Sequence, residues 1–345
     1  MIRAEVLDEP TLEFRHGQRL TRPHDGLSLF GPCDADSGSR PGAVTYGLVG
    51  TPEGVAAFRS WAEQMRGPVA PPEGKRATLW PAFPGFDVAF GVDWPTSPAW
   101  QETVDRKKLL DAAKLFDRYQ RVHDVVNQIL LPIEIAQKRD EQPRLIVCVV
   151  PDEVWRTCRP TQHVSDGVGV RVSAKELRNR VRGNRGLFDT YDPGVYQLAP
   201  DFRRQLKARV MRFGIPIQIV RESTLAHEAD PRFTYRGLTP VSDRMWNLGT
   251  GMYYKAGGKP WRLATAREGV CYVGIAFRLA NPEHSPRNGC CAAQMFLDDG
   301  DGVVFLGGCG RVAQPFGFRP HRSGHAAFPH PAPPKGNPSH ARIDM

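Results

Sequence analysis

No run of about 18 consecutive apolar residues occurs anywhere in the 345-residue sequence, so no membrane-spanning helix is expected. Met1 to Arg19 carries charges throughout and no apolar core, which argues against a signal peptide. The seven cysteines (Cys33, Cys148, Cys158, Cys271, Cys290, Cys291 and Cys309) form neither a CxxC pair nor a zinc-finger spacing. An odd, scattered set reads as reduced thiols of a cytoplasmic protein, with no metal site built from cysteine. The adjacent pair Cys290-Cys291 suits packing better than chemistry. GxGxxG and GxxxxGK[ST] are both missing, so nothing supports a glycine-rich nucleotide cradle. No internal repeat is visible.

What is present is bulk and positive charge. Hydrophobic residues make up 41% of the chain, enough for a sizeable core in two domains or in one large domain with an appendage. Forty-six Lys and Arg against 37 Asp and Glu give a formal net charge of +9. Such a surface attracts anions, nucleic acid first and membrane headgroups second.

Strand and helix patterns alternate. Gly26–Phe30, Ala43–Gly50, Phe86–Val92, Leu145–Val150 and Ile215–Val220 are short apolar runs closed by Gly or Pro and are predicted strands. Thr51-Pro52-Glu53 opens a helix with Thr as cap, and Val55, Phe58, Trp61 and Met65 follow helical spacing. A longer helical stretch is expected from Ser97-Pro98, with Leu109, Ala112, Leu115, Tyr119, Val122 and Val126 on one stripe. Ser173-x-x-Glu176 is a capping box ahead of a basic run, Arg178, Arg180, Arg182 and Arg185. That run suits a solvated helix end or a phosphate-backbone track. Phe202–Phe213 is a further helix stopped by Gly214. The alternation predicts an α/β class with a mostly parallel, doubly wound sheet. From about Cys309 to Met345 the periodicity vanishes in favour of Pro, Gly, His and Arg. A disordered tail or a lost reading frame near residue 308 would both produce that composition.

Three pieces stand out together. In DFRRQLKARVMRF (Asp201–Phe213), Arg203, Lys207 and nearly Arg204 recur about one turn apart. In GIPIQIV (Gly214–Val220), Gln218 interrupts an otherwise apolar strand and needs partners for its amide. In Lys255-Ala256-Gly257-Gly258, two glycines after a lysine would let backbone N–H groups face an anion. Each is weak alone. A basic helix, then G-I-P-x-Q, then Asn247, then K-x-G-G resembles the MID domain of the Argonaute family. In that family a helix lysine, a glutamine and a later lysine hold the 5′-phosphate of a guide strand, and a helix aromatic stacks on the first base. Carried over, these are Lys207, Gln218 and Lys255, with Asn247, Gly257 and Gly258 as supporting residues. The aromatic position falls on Arg203, a departure that leaves stacking or phosphate bonding to a guanidinium.

FGPCDADSG, VGTPEGV, IPIQIVRESTL, WNLGTGMYYKAGGKPWRL, CYVGIAFR and DDGDGVVFLG further resemble the short prokaryotic Argonautes, over residues 1–308. The resemblance implies a Rossmann-like MID domain with a parallel sheet (1–260), then the start of an RNase H-like PIWI domain (261–308) and the tail 309–345. It implies binding of guide RNA or DNA and a single-stranded target in the cytoplasm, with at most Mg²⁺ at the guide 5′ end as cofactor. It also implies an APAZ-containing partner carrying a TIR, sirtuin-like or nuclease effector, in defence against plasmids or phages.

Cleavage is not expected. The first catalytic Asp of an active PIWI domain lies in a G-I-D pattern, and here Gly274-Ile275-Ala276 puts Ala276 in that place. Without that carboxylate the two-metal clamp lacks an oxygen ligand. The stretch after Trp261 is expected to be a PIWI fragment without the later carboxylates, poorly stable through exposed apolar edges. Asp298-Asp299-Gly300-Asp301 reads as a hairpin turn. Two alternatives stay open: a nuclease using Asp298, Asp299 and Asp301 with Mg²⁺ or Mn²⁺, and a Rossmann-like small-molecule binder.

Overall fold

The structure, a computed structural model, describes residues 8–74, 79–184, 186, 190–227, 229–279, 288–298, 300–306, 310–311 and 319–321. In chain order, β1 (Leu12–Glu13), β2 (Arg19–Leu20) and α1 (Pro23–Phe30) lead to β3 (Tyr46–Gly50), α2 (Pro52–Gln64), α3 (Phe86–Phe90) and β4 (Trp100–Thr103). There follow α4 (Arg106–Ala112), α5 (Arg118–Ala136), β5 (Leu145–Val150), α6 (Asp152–Thr157), α7 (Ala174–Val181), α8 (Pro193–Gln197) and α9 (Phe202–Val210). Then come β6 (Ile217–Arg221), α10 (Glu222–Leu225), α11 (Val241–Lys255), β7 (Arg262–Leu263), β8 (Tyr272–Leu279), β9 (Asn288–Phe296), β10 (Gly302–Leu306), β11 (Gly310–Arg311) and β12 (Arg319–His321).

The centre is a four-stranded sheet in the order β4-β3-β5-β6, parallel throughout. Leu145–Val150 is buried at all six positions, as a strand covered on both faces must be. Alternation assigns its side chains. Leu145, Val147 and Val149 join Tyr46, Leu48 and Val220 against α2 and α11, where Phe58, Trp61, Trp246 and Tyr253 are buried. Ile146, Cys148 and Val150 face the opposite way with Val49 and Ile217, onto α5 and α9. The expected mixed α/β class with a parallel sheet is what the chain forms.

Local chemistry sets the helix starts. Thr51 Oγ1 accepts from Gly54 N at 3.1 Å, and Pro52 supplies the pre-set first residue of α2. Ser173 Oγ caps α7 by accepting from Glu176 N at 3.2 Å, as the capping box predicts. Gly47 lies beside Trp100 of β4: a Cβ there would sit 2.3 Å from the indole. Gly47→Val must therefore displace a buried ring, and urea denaturation is expected to show a loss of about 2 kcal/mol or more.

Two predicted strands are helices. Gly26–Phe30 belongs to α1, which Pro23 opens, and Phe86–Phe90 is α3, ended by Gly91 at φ 65°. Short apolar runs carry no period that separates strand from helix, and the Pro and Gly punctuation decides. Nor does Ser97-Pro98 start a helix. It precedes β4, and the long stripe divides into α4, capped by Asp105, and α5, capped by Asp117.

The chain beyond α11 returns to the start: β7 pairs with β1, which pairs with β2. β8 to β12 form an antiparallel sheet in which β9 pairs with β8, β10 and β11, and β12 pairs with β10. Val273, Ile275 and Phe296 remain exposed on it. Of 309–345, where no element is predicted, β11 and β12 are described and the rest lies outside the described residues.

Candidate nucleic-acid interface

β6 is the edge strand of the parallel sheet, with α9 and α11 on its two faces. Asp201 caps α9 by accepting from Arg204 N at 2.9 Å. Phe202, Leu206 and Val210, four residues apart, are buried. Arg203 and Lys207, also four apart, therefore stay together on the outer face. Gln218 registers with Val147 of β5 and shares its strand face with Val220, the face that meets α11. Lys255 is the last residue of α11.

These elements bring the four principal residues of the sequence prediction to one place. Lys255 Nζ donates to Gln218 Oε1, and Gln218 Nε2 donates to the Ile219 carbonyl at 3.4 Å. Gly251, one turn before Lys255 on α11, lies beside the pair: a Cβ there would be in ordinary contact with Gln218 Oε1, at 3.9 Å. Burial pushes the Lys255 ammonium down to about 8, with Lys207 and then Arg203 adding repulsion. Lys207 is lowered by partial burial and by Arg203. Among the described residues none of Arg203, Lys207 and Lys255 has an acidic partner. Like charges held together, one of them half-desolvated, cost free energy. A phosphate offers the charge and acceptor oxygens that these donors match.

The supporting residues divide. Asn247 lies on α11, exposed, two turns before Lys255 with Gly251 between them. Gly257 and Gly258 do not point their N–H groups at an anion: Gly257 N donates to the Tyr254 carbonyl at 3.1 Å and Gly258 N to that of Tyr253 at 3.0 Å. Those two bonds are a Schellman cap that ends α11, with Gly257 at φ 101°. A Cβ on Gly258 would lie 2.4 Å from the Tyr253 ring. The glycine pair fixes where Lys255 sits, and the K-x-G-G pattern is a helix terminus, not a phosphate nest.

The donor set does not suit Mg²⁺. That ion takes oxygen ligands, and the one side-chain oxygen among the four residues, Gln218 Oε1, already accepts from Lys255. Asp298 Oδ2 accepts from Gly269 N at 2.7 Å, and Asp301 pairs with Lys259 at 3.0 Å. Leu297 N donates to the Asp301 carbonyl and Gly300 has φ 88°, so the acidic cluster is the β9–β10 turn, as predicted. Asp299 lies outside the described residues. Among those described, no group of three or more His, Cys, Asp or Glu could hold a metal. Ala276 pairs with Ala292 in the β8–β9 ladder.

Arg180 of the second basic run is tied down by Tyr196 at 2.6 Å, Asp117 at 3.4 Å and Glu176. It joins α7 to α5 and α8 and is not available to a strand of phosphates. Arg185 lies outside the described residues. Sequence reasoning missed Trp155. It sits on α6, half-buried, with the guanidinium of Arg203 5.1 Å from its ring centre. Its position just past the most apolar strand, at the carboxyl edge of a parallel sheet, was the available signal.

A parallel sheet of this order has its switch point between β3 and β5, where α/β folds take small ligands. Here that crevice is lined by an ion-pair network of the chain's own side chains. Glu222 Oε1 accepts from Thr51 Oγ1 at 2.9 Å and from Arg106 Nη1 at 2.6 Å. Arg106 also reaches Glu53 and Glu153, each at 3.9 Å.

Neither a protein-family model nor a curated protein matches the sequence. Among solved structures the chain is similar to Clostridium butyricum Argonaute bound to a guide DNA and a 19-mer target DNA, at 13% identity and TM-score 0.44, covering 93% of this chain and 31% of that one. It is similar to Aa-Ago with externally bound siRNA, at 9% identity and TM-score 0.41, and to Aquifex aeolicus Argonaute, at 10% and 0.39. Each of these two comparisons covers 87% of this chain and 31% of the other. The structural neighbours are thus Argonautes, and the chain spans about a third of their length.

Proposed function

We propose that this chain binds the 5′-phosphorylated end of a guide nucleic acid as a non-cleaving Argonaute-type subunit. The observation that carries the proposal is the Arg203–Lys207–Gln218–Lys255 cluster. Three cations share one edge of the sheet without an acidic partner among the described residues, and the ammonium of Lys255 is held by Gln218. The order of the motifs in the sequence supports the same assignment. On this proposal residues 1–260 are the guide 5′-end binding domain and 261–308 the start of a PIWI domain. A separate APAZ-containing effector would act when the guide finds invading plasmid or phage nucleic acid in the cytoplasm.

Absence of cleavage rests on Ala276 at the position of the first carboxylate and on the engagement of Asp298 by Gly269 N and of Asp301 by Lys259. A guided cleavage assay with Mg²⁺ or Mn²⁺ tests it, and metal-dependent product would establish the nuclease alternative. The small-molecule alternative is disfavoured by the pairing of Glu222 with Thr51 and Arg106 at the switch point.

The decisive experiment is equilibrium binding of single strands that differ only in a 5′-phosphate or 5′-hydroxyl, as RNA and as DNA. A preference of about tenfold or more for the phosphate is expected, the loss of one charge-assisted anion contact in a half-buried site. Equal affinities would reject the proposal.

A further inference from the structure

A groove with no residue in common with the Lys255 cluster lies where the connection between α6 and α9 folds back beside the start of α5. Leu115, Phe116, Val168, Val170 and Val172 form its apolar side, and Tyr191 and Tyr196 line the rest. Two backbone bonds seat the segment: Val168 N donates to the Lys114 carbonyl at 2.9 Å, and Phe116 N to the Val168 carbonyl at 3.0 Å. Gly167 permits that approach, since a Cβ there would lie 2.7 Å from both the Lys114 oxygen and the Phe116 ring. Arg180 fixes the tyrosines, 4.8 Å from the ring centre of Tyr191 and 5.5 Å from that of Tyr196. Asp117 and Glu176 are both engaged by its charge.

Beyond Val168 the edge of the segment is open. The N–H and C=O groups of Gly169, Val170 and Arg171 form no backbone hydrogen bond with any described residue. Val168 is 50% exposed and Val170 75%. Val168, Val170 and Val172 all line the groove, the alternation of an extended segment. Alternating valines with free backbone groups make an edge to which a further strand can add.

Charge selects the occupant. The guanidinium of Arg171 lies 4.2 Å from the ring centre of Phe116, Lys114 holds the segment through its carbonyl, and Lys175 lines the continuation of the groove past Tyr191. Among the described residues none of these three pairs with a carboxylate. Asp166, at the preceding turn, accepts from Ser165 Oγ at 3.1 Å. A second copy of the chain would bring the same three cations against each other. The stretch 309–345 does not fit either, with Arg311, Arg319, Arg322, Lys335 and Arg342 against Asp344 alone. Single-stranded nucleic acid would answer the charge but has no ladder of N–H and C=O groups to meet the open edge.

We propose that this groove docks an extended, acidic segment of a partner protein. The segment adds a strand beside Val168–Val172 and seats alternate apolar side chains against Leu115, Phe116 and Tyr191, while its carboxylates meet Lys114, Arg171 and Lys175. The inference does not depend on the proposed function.

The test pans the full chain with a random twelve-residue peptide library and measures the selected peptides by fluorescence anisotropy. Enriched peptides are expected to alternate apolar residues with a surplus of Asp and Glu. Val170→Asp, at an exposed position, should leave the urea midpoint unchanged and weaken these peptides about tenfold or more. Arg171→Glu combined with Lys175→Glu should turn the preference towards peptides rich in Lys and Arg. N-methylation of alternate amides should abolish binding in the set that faces Val168–Val172 and spare it in the other. No enrichment, enrichment without an acidic surplus, or equal loss in both N-methylated sets overturns the proposal. So does a wild-type dimer in sedimentation that Val170→Asp dissociates, which makes the occupant a second copy. A ten-nucleotide 5′-hydroxyl RNA whose binding Val170→Ser weakens about tenfold would assign the groove to nucleic acid and overturn it as well.

Discussion

Lys255→Met is expected to abolish the preference for a 5′-phosphate and, in the same protein, to raise stability at neutral pH. The second effect follows from linkage. The folded pKa of Lys255, about 8, lies below its ordinary 10.5. Below pH 8 both folded and unfolded chains carry the charge, and the folded chain bears the full desolvation penalty. Between 8 and 10.5 the unfolded chain still holds a proton that the folded chain has released, so stability rises with pH across that window. The gap corresponds to roughly 3 kcal/mol at pH 7. Methionine keeps the length and apolar character of the stem, while Gln218 loses its partner at a cost of about 1 kcal/mol. Urea denaturation at pH 7 should therefore show a net gain of about 1–2 kcal/mol, shrinking towards pH 10. Binding should move the other way, with the 5′-phosphate advantage falling by about 100-fold, as expected when a desolvated charge contact is removed. A less stable variant with its phosphate preference intact would make Lys255 a structural residue and end the proposal.

The members of the candidate cluster were more legible in the sequence than parts of the fold. They stand out as irregularities: Gln218 within Gly214–Val220, and Arg203 and Lys207 on a helix whose other face is apolar. The buried strand Leu145–Val150 and the Thr51-Pro52 helix start were legible for a different reason, since each carries a long run or a complete cap. Gly26–Phe30 and Phe86–Val92 were not, because a short, mostly apolar segment suits a strand or a helix equally and neighbouring punctuation decides. The glycines after Lys255 show the limit of motif chemistry. Two N–H groups that could face an anion are used to end α11, which no spacing reveals until the helix boundary is known. Trp155 was invisible because its three arginine neighbours come from α6's own C-terminal side, α9 and β6, far apart in sequence.

The affinity of the wild-type chain for a 5′-phosphorylated strand is expected to be level between about pH 6.5 and 7.5 and to fall as pH rises through 8. Below about 6 the phosphate itself takes up a proton and loses charge. Above 8 the free protein has lost the Lys255 proton, and binding must restore it, because an adjacent phosphate dianion raises the ammonium pKa again. Each further pH unit then approaches a tenfold loss until the bound-state pKa is reached. Titration calorimetry in buffers of different ionisation enthalpy should detect uptake of close to one proton above pH 8 with the phosphorylated strand. Lys255→Met should show no uptake and no upper limb. Lys207→Gln gives the sharper result. Of the two charges that depress Lys255, Lys207 has the larger effect, so its removal weakens binding yet moves the upper limb to higher pH. A structural role for Lys207 would lower affinity without moving the limb. A flat profile between pH 7 and 9.5 would show that Lys255 stays protonated without ligand, and the repulsion among Arg203, Lys207 and Lys255 would then not be what the phosphate relieves.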